Sequence, residues 1–126
     1  MTVLCIDDDP DDLEILSDAI KIVDPSIICL TVFRSEDAIR LLTSDMELPD
    51  FIFLDINMPV MNGLECLRLI KSNDGLKAIE VIMLSTAFRP TDEQEFSKWG
   101  VRYFKKPNEF DVLVENLSII LKSPGA

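Results

Sequence analysis

Short runs of apolar residues alternate along the chain with segments whose apolar residues recur three and four positions apart. The continuous runs are Val3–Ile6, Ile27–Phe33, Phe51–Leu54, Val81–Leu84 and Val101–Phe104, and their length predicts five strands. The intervening spacing predicts five helices. The first presents Leu13, Leu16, Ile20 and Val23 on one face, the second Ala38, Leu41 and Leu42, and the third Leu64, Leu67 and Ile70. The fourth is weakly patterned, with Phe96 and Trp99 alone, whereas the fifth carries Phe110, Leu113, Val114, Leu117, Ile120 and Leu121.

Helix starts are marked by capping chemistry. Asp9-Pro10 sets a capping acid before a proline suited to the first turn. Asn62-Gly63-Leu64-Glu65 and Thr91-Asp92-Glu93-Gln94 resemble capping boxes, Ser35 and Asn108 are expected to cap the second and fifth helices, and Gly100 suits a helix stop. Five β-α repeats imply a doubly wound parallel sheet with helices on both faces, because parallel strands need crossovers. The strands read as buried on both sides. No linker or repeat divides residues 1–126, so a single domain is expected, closing a few residues past the fifth helix at Lys122-Ser123-Pro124-Gly125-Ala126.

Composition narrows the function. The net charge is −11, which argues against nucleic acid or an anionic membrane as a direct partner. No apolar run is long enough to span a bilayer and no secretory leader is evident, so a cytoplasmic protein is expected. Cys5, Cys29 and Cys66 are odd in number and widely spaced, which fits reduced thiols. There is no histidine, which excludes Ser-His-Asp and Cys-His catalysis and the usual zinc sites.

In doubly wound folds, ligands bind beyond the carboxyl ends of the strands. The residues at those ends are Asp7-Asp8, Arg34-Ser35, Asp55, Ser85-Thr86 and Lys105-Lys106. Three carboxylates, a hydroxyl and an ammonium are thereby expected at one edge. Asp7 and Asp8 alone would be read as helix-capping acids, and Asp55 alone as a turn residue. Together they suit a hard divalent cation such as Mg²⁺, which takes oxygen ligands and pairs with carboxylates and phosphate. A carboxylate so placed can also act as a nucleophile on phosphorus.

The set Asp7-Asp8, Asp55-Ile56-Asn57-Met58-Pro59, Met61-Asn62-Gly63, Ser85 and Lys106-Pro107 resembles the receiver domain of two-component response regulators over essentially the whole chain. The resemblance implies a flavodoxin-like sheet of order 2-1-3-4-5. It implies phosphorylation of Asp55 by a phosphohistidine of a separate histidine kinase or phosphotransfer protein. It implies Mg²⁺ held by Asp8 and Asp55, by Asp7 through water, and by the backbone carbonyl of Asn57. Lys106 would pair with Asp55 and then with the phosphoryl group, and the Lys106-Pro107 bond would be cis. Ser85 and the backbone groups of Asn57 and Thr86 would contact the phosphoryl group, and Tyr103 would turn inward as the switch aromatic. Lys105 is the less expected of the two lysines. Thr86 departs from the alanine or glycine usual there, and its branched side chain would narrow access to Asp55.

Output is expected through the fourth helix, fifth strand and fifth helix, to a protein partner or a second copy. Two other readings compete. A constitutive interaction module would share the fold without being phosphorylated. An aspartyl phosphatase of the haloacid dehalogenase type would need Asp-x-Asp-x-Thr, which Asp55-Ile56-Asn57-Met58-Pro59 does not supply. A flavin site is excluded by Asp7-Asp8-Asp9, which would repel its phosphate.

Overall fold

The computed structural model describes residues 1–122; the expected tail after Lys122 lies outside the described residues. The elements alternate as β1 (Thr2–Ile6), α1 (Pro10–Val23), β2 (Ile28–Val32), α2 (Ser35–Leu42), β3 (Phe51–Asp55), α3 (Gly63–Ser72), β4 (Glu80–Ser85), α4 (Pro90–Trp99), β5 (Arg102–Lys105) and α5 (Phe110–Lys122). All strand pairs are parallel and their order is β2-β1-β3-β4-β5. This is the doubly wound, flavodoxin-like α/β arrangement expected from the alternating pattern.

Alternation along the central strands sorts the core into two layers. Val3, Cys5, Phe51, Phe53, Ile82 and Leu84 pack with α1 and α5 through Leu16, Ile20 and Leu117. Leu4, Ile6, Ile52, Leu54, Val81 and Met83 pack with α2, α3 and α4 through Ala38, Leu67 and Phe96. β1, β3 and β4 are buried on both sides, as their apolar runs require. β2 and β5 are edge strands and depart from that expectation, with Ile28 58% exposed. An apolar run in the sequence does not distinguish an edge from a centre.

The caps follow the sequence in part. Asp9 accepts from the Asp11 and Asp12 N–H groups, Asn62 forms the expected box with Glu65, and Gly100 ends α4 at φ 66°. Three expectations need correction. α2 begins at Ser35 itself, behind Arg34, without a side-chain cap. α4 starts at Pro90, where the buried Asp92 carboxylate accepts the Arg89 N–H; proline at the first position extends the helix past Thr91. α5 starts at Phe110, with the Leu113 N–H on the Glu109 carbonyl rather than capped at Asn108.

Backbone bonds carry the parallel pairing just past the strand ends. The Asp7 N–H donates to the Val32 carbonyl, Ile56 N–H to Leu84, and Lys106 N–H to Ser85 over 2.8 Å. These bonds fix where the residues after β1, β3 and β5 leave the sheet.

Candidate functional site

Three acids and one lysine meet at the carboxyl edge of the central strands. Asp7 directly follows β1, Asp55 is the last residue of β3, and both are 4% exposed. One carboxylate oxygen from each of Asp7, Asp8 and Asp55 lies within 4.8 Å of the others. Lys106, just past β5, sends its Nζ into this cluster, 2.7 Å from Asp7 Oδ2 and 3.0 Å from Asp55 Oδ1. Lys105 ends β5 with its residue exposed, so the lysine preceding Pro107 is the one that reaches the acids.

The backbone holds the carboxylates in place. Asp7 Oδ1 accepts the Asp9 N–H at 3.0 Å, and Asp55 Oδ2 accepts the Asn57 N–H at 3.2 Å. Each acid therefore has one oxygen on the backbone and one on the ammonium. α3 packs directly beneath the loop after β3. The Gly63 N–H donates to the Ile56 carbonyl, and a Cβ at Gly63 would overlap the Asp55 carbonyl oxygen. That close approach explains the glycine in Asn62-Gly63.

The charges are unbalanced. Burial, and then the neighbouring Asp7 charge, push the Asp55 carboxyl up to about 6 despite Lys106 beside it. Burial likewise raises Asp7. Burial works against the charge on Lys106, but hydrogen bonds to Asp7 and Asp12 and the charge of Asp55 outweigh it and hold the ammonium above its ordinary value. One lysine does not neutralise this many acids. The all-oxygen donor set and the residual negative charge fit a hard divalent cation.

Ser85 closes the other side. It ends β4, is fully buried, and its Oγ accepts from Asn57 Nδ2 at 3.0 Å and from the Ala87 N–H at 3.3 Å. Thr86 is exposed in the loop that follows. A groove of about 470 Å³ borders this side, lined by Asn57, Met58, Asn62, Ala87 and Arg89. Tyr103 stands apart from the acid cluster. Its ring packs against Phe88 and Phe96, with centroids 5.2 and 5.1 Å away, and its hydroxyl donates to Glu93 Oε2.

One expectation is not met. The peptide bond between Lys106 and Pro107 is trans, like every described peptide bond. Trans is the lower-energy form even before proline, and Lys106 makes its backbone and ammonium contacts with the bond in that form.

Asp12 is the residue that sequence reasoning missed. Its Oδ2 lies 3.0 Å from Lys106 Nζ. The signal was available: Asp12 stands four residues before buried Leu16 and eight before buried Ile20, on the stripe that faces inward.

Residues 3–118 match the family described as the response regulator receiver domain. The chain belongs to that family. It is 32% identical to Protein PilH of Pseudomonas aeruginosa over 76 residues, 60% of this chain and 63% of PilH. It spans less than two thirds of the length of the relatives it matches in sequence. Among solved structures it resembles the phosphorylated cyanobacterial phytochrome response regulator RcpA, with TM-score 0.86 and 26% identity over 96% of this chain and 91% of that one. It also resembles the chemotaxis protein CheY4 of Vibrio cholerae, with TM-score 0.78 and 25% identity over 94% and 97% of the two chains. A receiver domain is a phosphoacceptor switch rather than a turnover enzyme, and the pocket of Asp7, Asp8 and Asp55 is suited to metal-dependent aspartyl phosphorylation. Among the described residues no helix is long and apolar enough to cross a membrane.

Proposed function

We propose that Asp55 is the phosphoacceptor, and that it takes its phosphoryl group from a phosphohistidine on a partner histidine kinase or phosphotransfer protein. The observation that carries this is the placement of a buried carboxylate at the end of β3, between a second acid pair and the Lys106 ammonium. One Asp55 oxygen forms the bond to phosphorus. The P–N bond of the donor breaks and its electron pair returns to the imidazole. Residues 1–126 contain no histidine, so the phosphohistidine lies outside this segment.

Asp7, Asp8 and Asp55, with the Asn57 carbonyl, would hold Mg²⁺, which neutralises charge on the transferring group when bound. Lys106 supplies the positive charge on the other side, where a fixed ammonium in a water-poor pocket is most effective. The N–H groups of Asn57 and Thr86 and the Ser85 hydroxyl are the donors for the phosphoryl oxygens. The Ser85 oxygen accepts from Asn57 and from the Ala87 N–H, which leaves its hydroxyl hydrogen for a phosphoryl oxygen, and drawing the side chain toward that group shifts the loop after β4. The Tyr103 ring, packed on Phe88 of that loop, then turns inward. The altered face of α4, β5 and α5 engages a downstream protein or a second copy, in the reducing interior of the cell where the three thiols stay free. RcpA, a relative in fold and family, has been crystallised in a phosphorylated form.

Incubation with Mg²⁺ and acetyl phosphate tests this reading. A mass gain of one phosphoryl group, absent without Mg²⁺ and absent in Asp55→Asn, supports it. No gain in the parent chain supports the constitutive interaction module.

A further inference from the structure

We propose that Asp12 is a positioning residue for Lys106, tying the ammonium to the first turn of α1 and withholding one of its hydrogens from a phosphoryl group on Asp55. The inference rests on the phosphoacceptor reading above. A lysine ammonium has three donors. Here three carboxylates from three different segments surround it: Asp7 and Asp12 accept hydrogen bonds at 2.7 and 3.0 Å, and Asp55 forms an ion pair at 3.0 Å.

The three contacts are not equivalent. Asp7 is buried and holds Lys106 from below. Asp55 gives up its ion pair when its carboxylate becomes an acyl phosphate, and the phosphoryl oxygens take its place beside the ammonium. Asp12 does neither. It sits at the third position of α1, where an acid often reaches back to the backbone N–H of the capping residue. That N–H belongs to Asp9 and is already bonded to Asp7 Oδ1. The Asp12 carboxylate turns to Lys106 instead, on the more solvent-exposed side of the ammonium.

Two consequences of opposite sign follow. The charge of Asp12 adds to the attraction for a divalent cation in the same pocket. It also repels an incoming phosphoryl group and competes with it for Lys106. Replacement by a neutral side chain therefore weakens the metal and strengthens the phosphoryl contact, whereas a merely structural role would weaken both.

The experiment uses the full chain, Asp12→Asn and Asp12→Glu. Calorimetry measures the affinity for Mg²⁺ alone, then for fluoroberyllate, a phosphoryl mimic, at saturating Mg²⁺. The expected result for Asp12→Asn is fluoroberyllate binding about two- to fivefold tighter, the scale of one partly exposed ion pair, with Mg²⁺ affinity reduced. Asp12→Glu should restore parent behaviour. Fluoroberyllate binding that is unchanged or weaker in Asp12→Asn overturns the inference while leaving Asp55 as acceptor. A parent chain that binds no fluoroberyllate overturns the phosphoacceptor reading, and this inference with it.

Discussion

The hydroxyl of Tyr103, on β5, donates to Oε2 of Glu93, on α4, across 2.6 Å. The bond ties the ring in its outward position, 38% exposed, to the helix beside it. The hydrogen bond to Glu93, followed by partial desolvation and the Glu93 charge, disfavours the phenolate and raises the tyrosine pKa. Tyr103 is the chain's single tyrosine, so its ionisation can be followed by ultraviolet absorbance without ambiguity. Glu93→Ala should lower the phenol pKa toward that of free tyrosine. An unchanged titration would mean that the two side chains are not bonded in solution.

Gly63 sets how closely α3 approaches the loop that carries Asp55. A Cβ there would overlap the Asp55 carbonyl oxygen and lie 2.6 Å from the Ile56 Cα, both backbone atoms that cannot step aside. Gly63→Ala should therefore cost about 1–3 kcal/mol of stability, the usual range for overpacking a tight site. It should also reduce phosphorylation of Asp55 by displacing its loop. Urea denaturation checks the first effect and intact mass after acetyl phosphate the second.

The buried carboxyl of Asp55 makes a signed prediction for pH. Its pKa is pushed up from the ordinary 3.8 to about 6 by burial and by Asp7. The folded state thus binds a proton more readily than the unfolded one. The stability this group contributes is full below about pH 4 and is lost as pH rises through about 6. Asp55→Asn removes that dependence and should be more stable than the parent at pH 7. At roughly 1.4 kcal/mol per pKa unit, the gain is on the order of 2–3 kcal/mol, and it should vanish below pH 4. Denaturant melts of both proteins at pH 4 and pH 7 measure it.

Divalent cations should reverse the same penalty. Mg²⁺ at millimolar concentration should raise the melting temperature at pH 7 by binding the folded state alone. Asp8→Ala should abolish most of the rise, because Asp8 is the exposed member of the acid cluster and its contribution to the core is small. A parent melting temperature indifferent to Mg²⁺ would contradict the metal assignment.

Much of this arrangement was legible in the sequence because topology does the gathering. Once five β-α units are recognised, Asp7, Asp55, Ser85 and Lys106 must share an edge, each standing at or just past a strand end. What escaped was of two kinds. Asp12 reaches Lys106 from a helix, across 94 positions; its place on the inward stripe was readable, but its partner is set by how α1 packs. The partner of Tyr103 likewise depends on how α4 sits against β5, and α4 carries the weakest apolar pattern of the five helices. The exposure of β2 and β5 follows from strand order, which hydrophobicity alone does not encode. The trans bond at Lys106-Pro107 departs from the resemblance and from nothing in the residues themselves.

Locating the modified atom tests the account most directly. After incubation with Mg²⁺ and acetyl phosphate, borohydride reduces an aspartyl phosphate to homoserine, and peptide mass mapping reads its position. Homoserine at position 55, lost when Lys106 is changed to Ala or Mg²⁺ is withheld, is the predicted result. Homoserine at Asp7 or Asp8, or none at all, would contradict the assignment of Asp55.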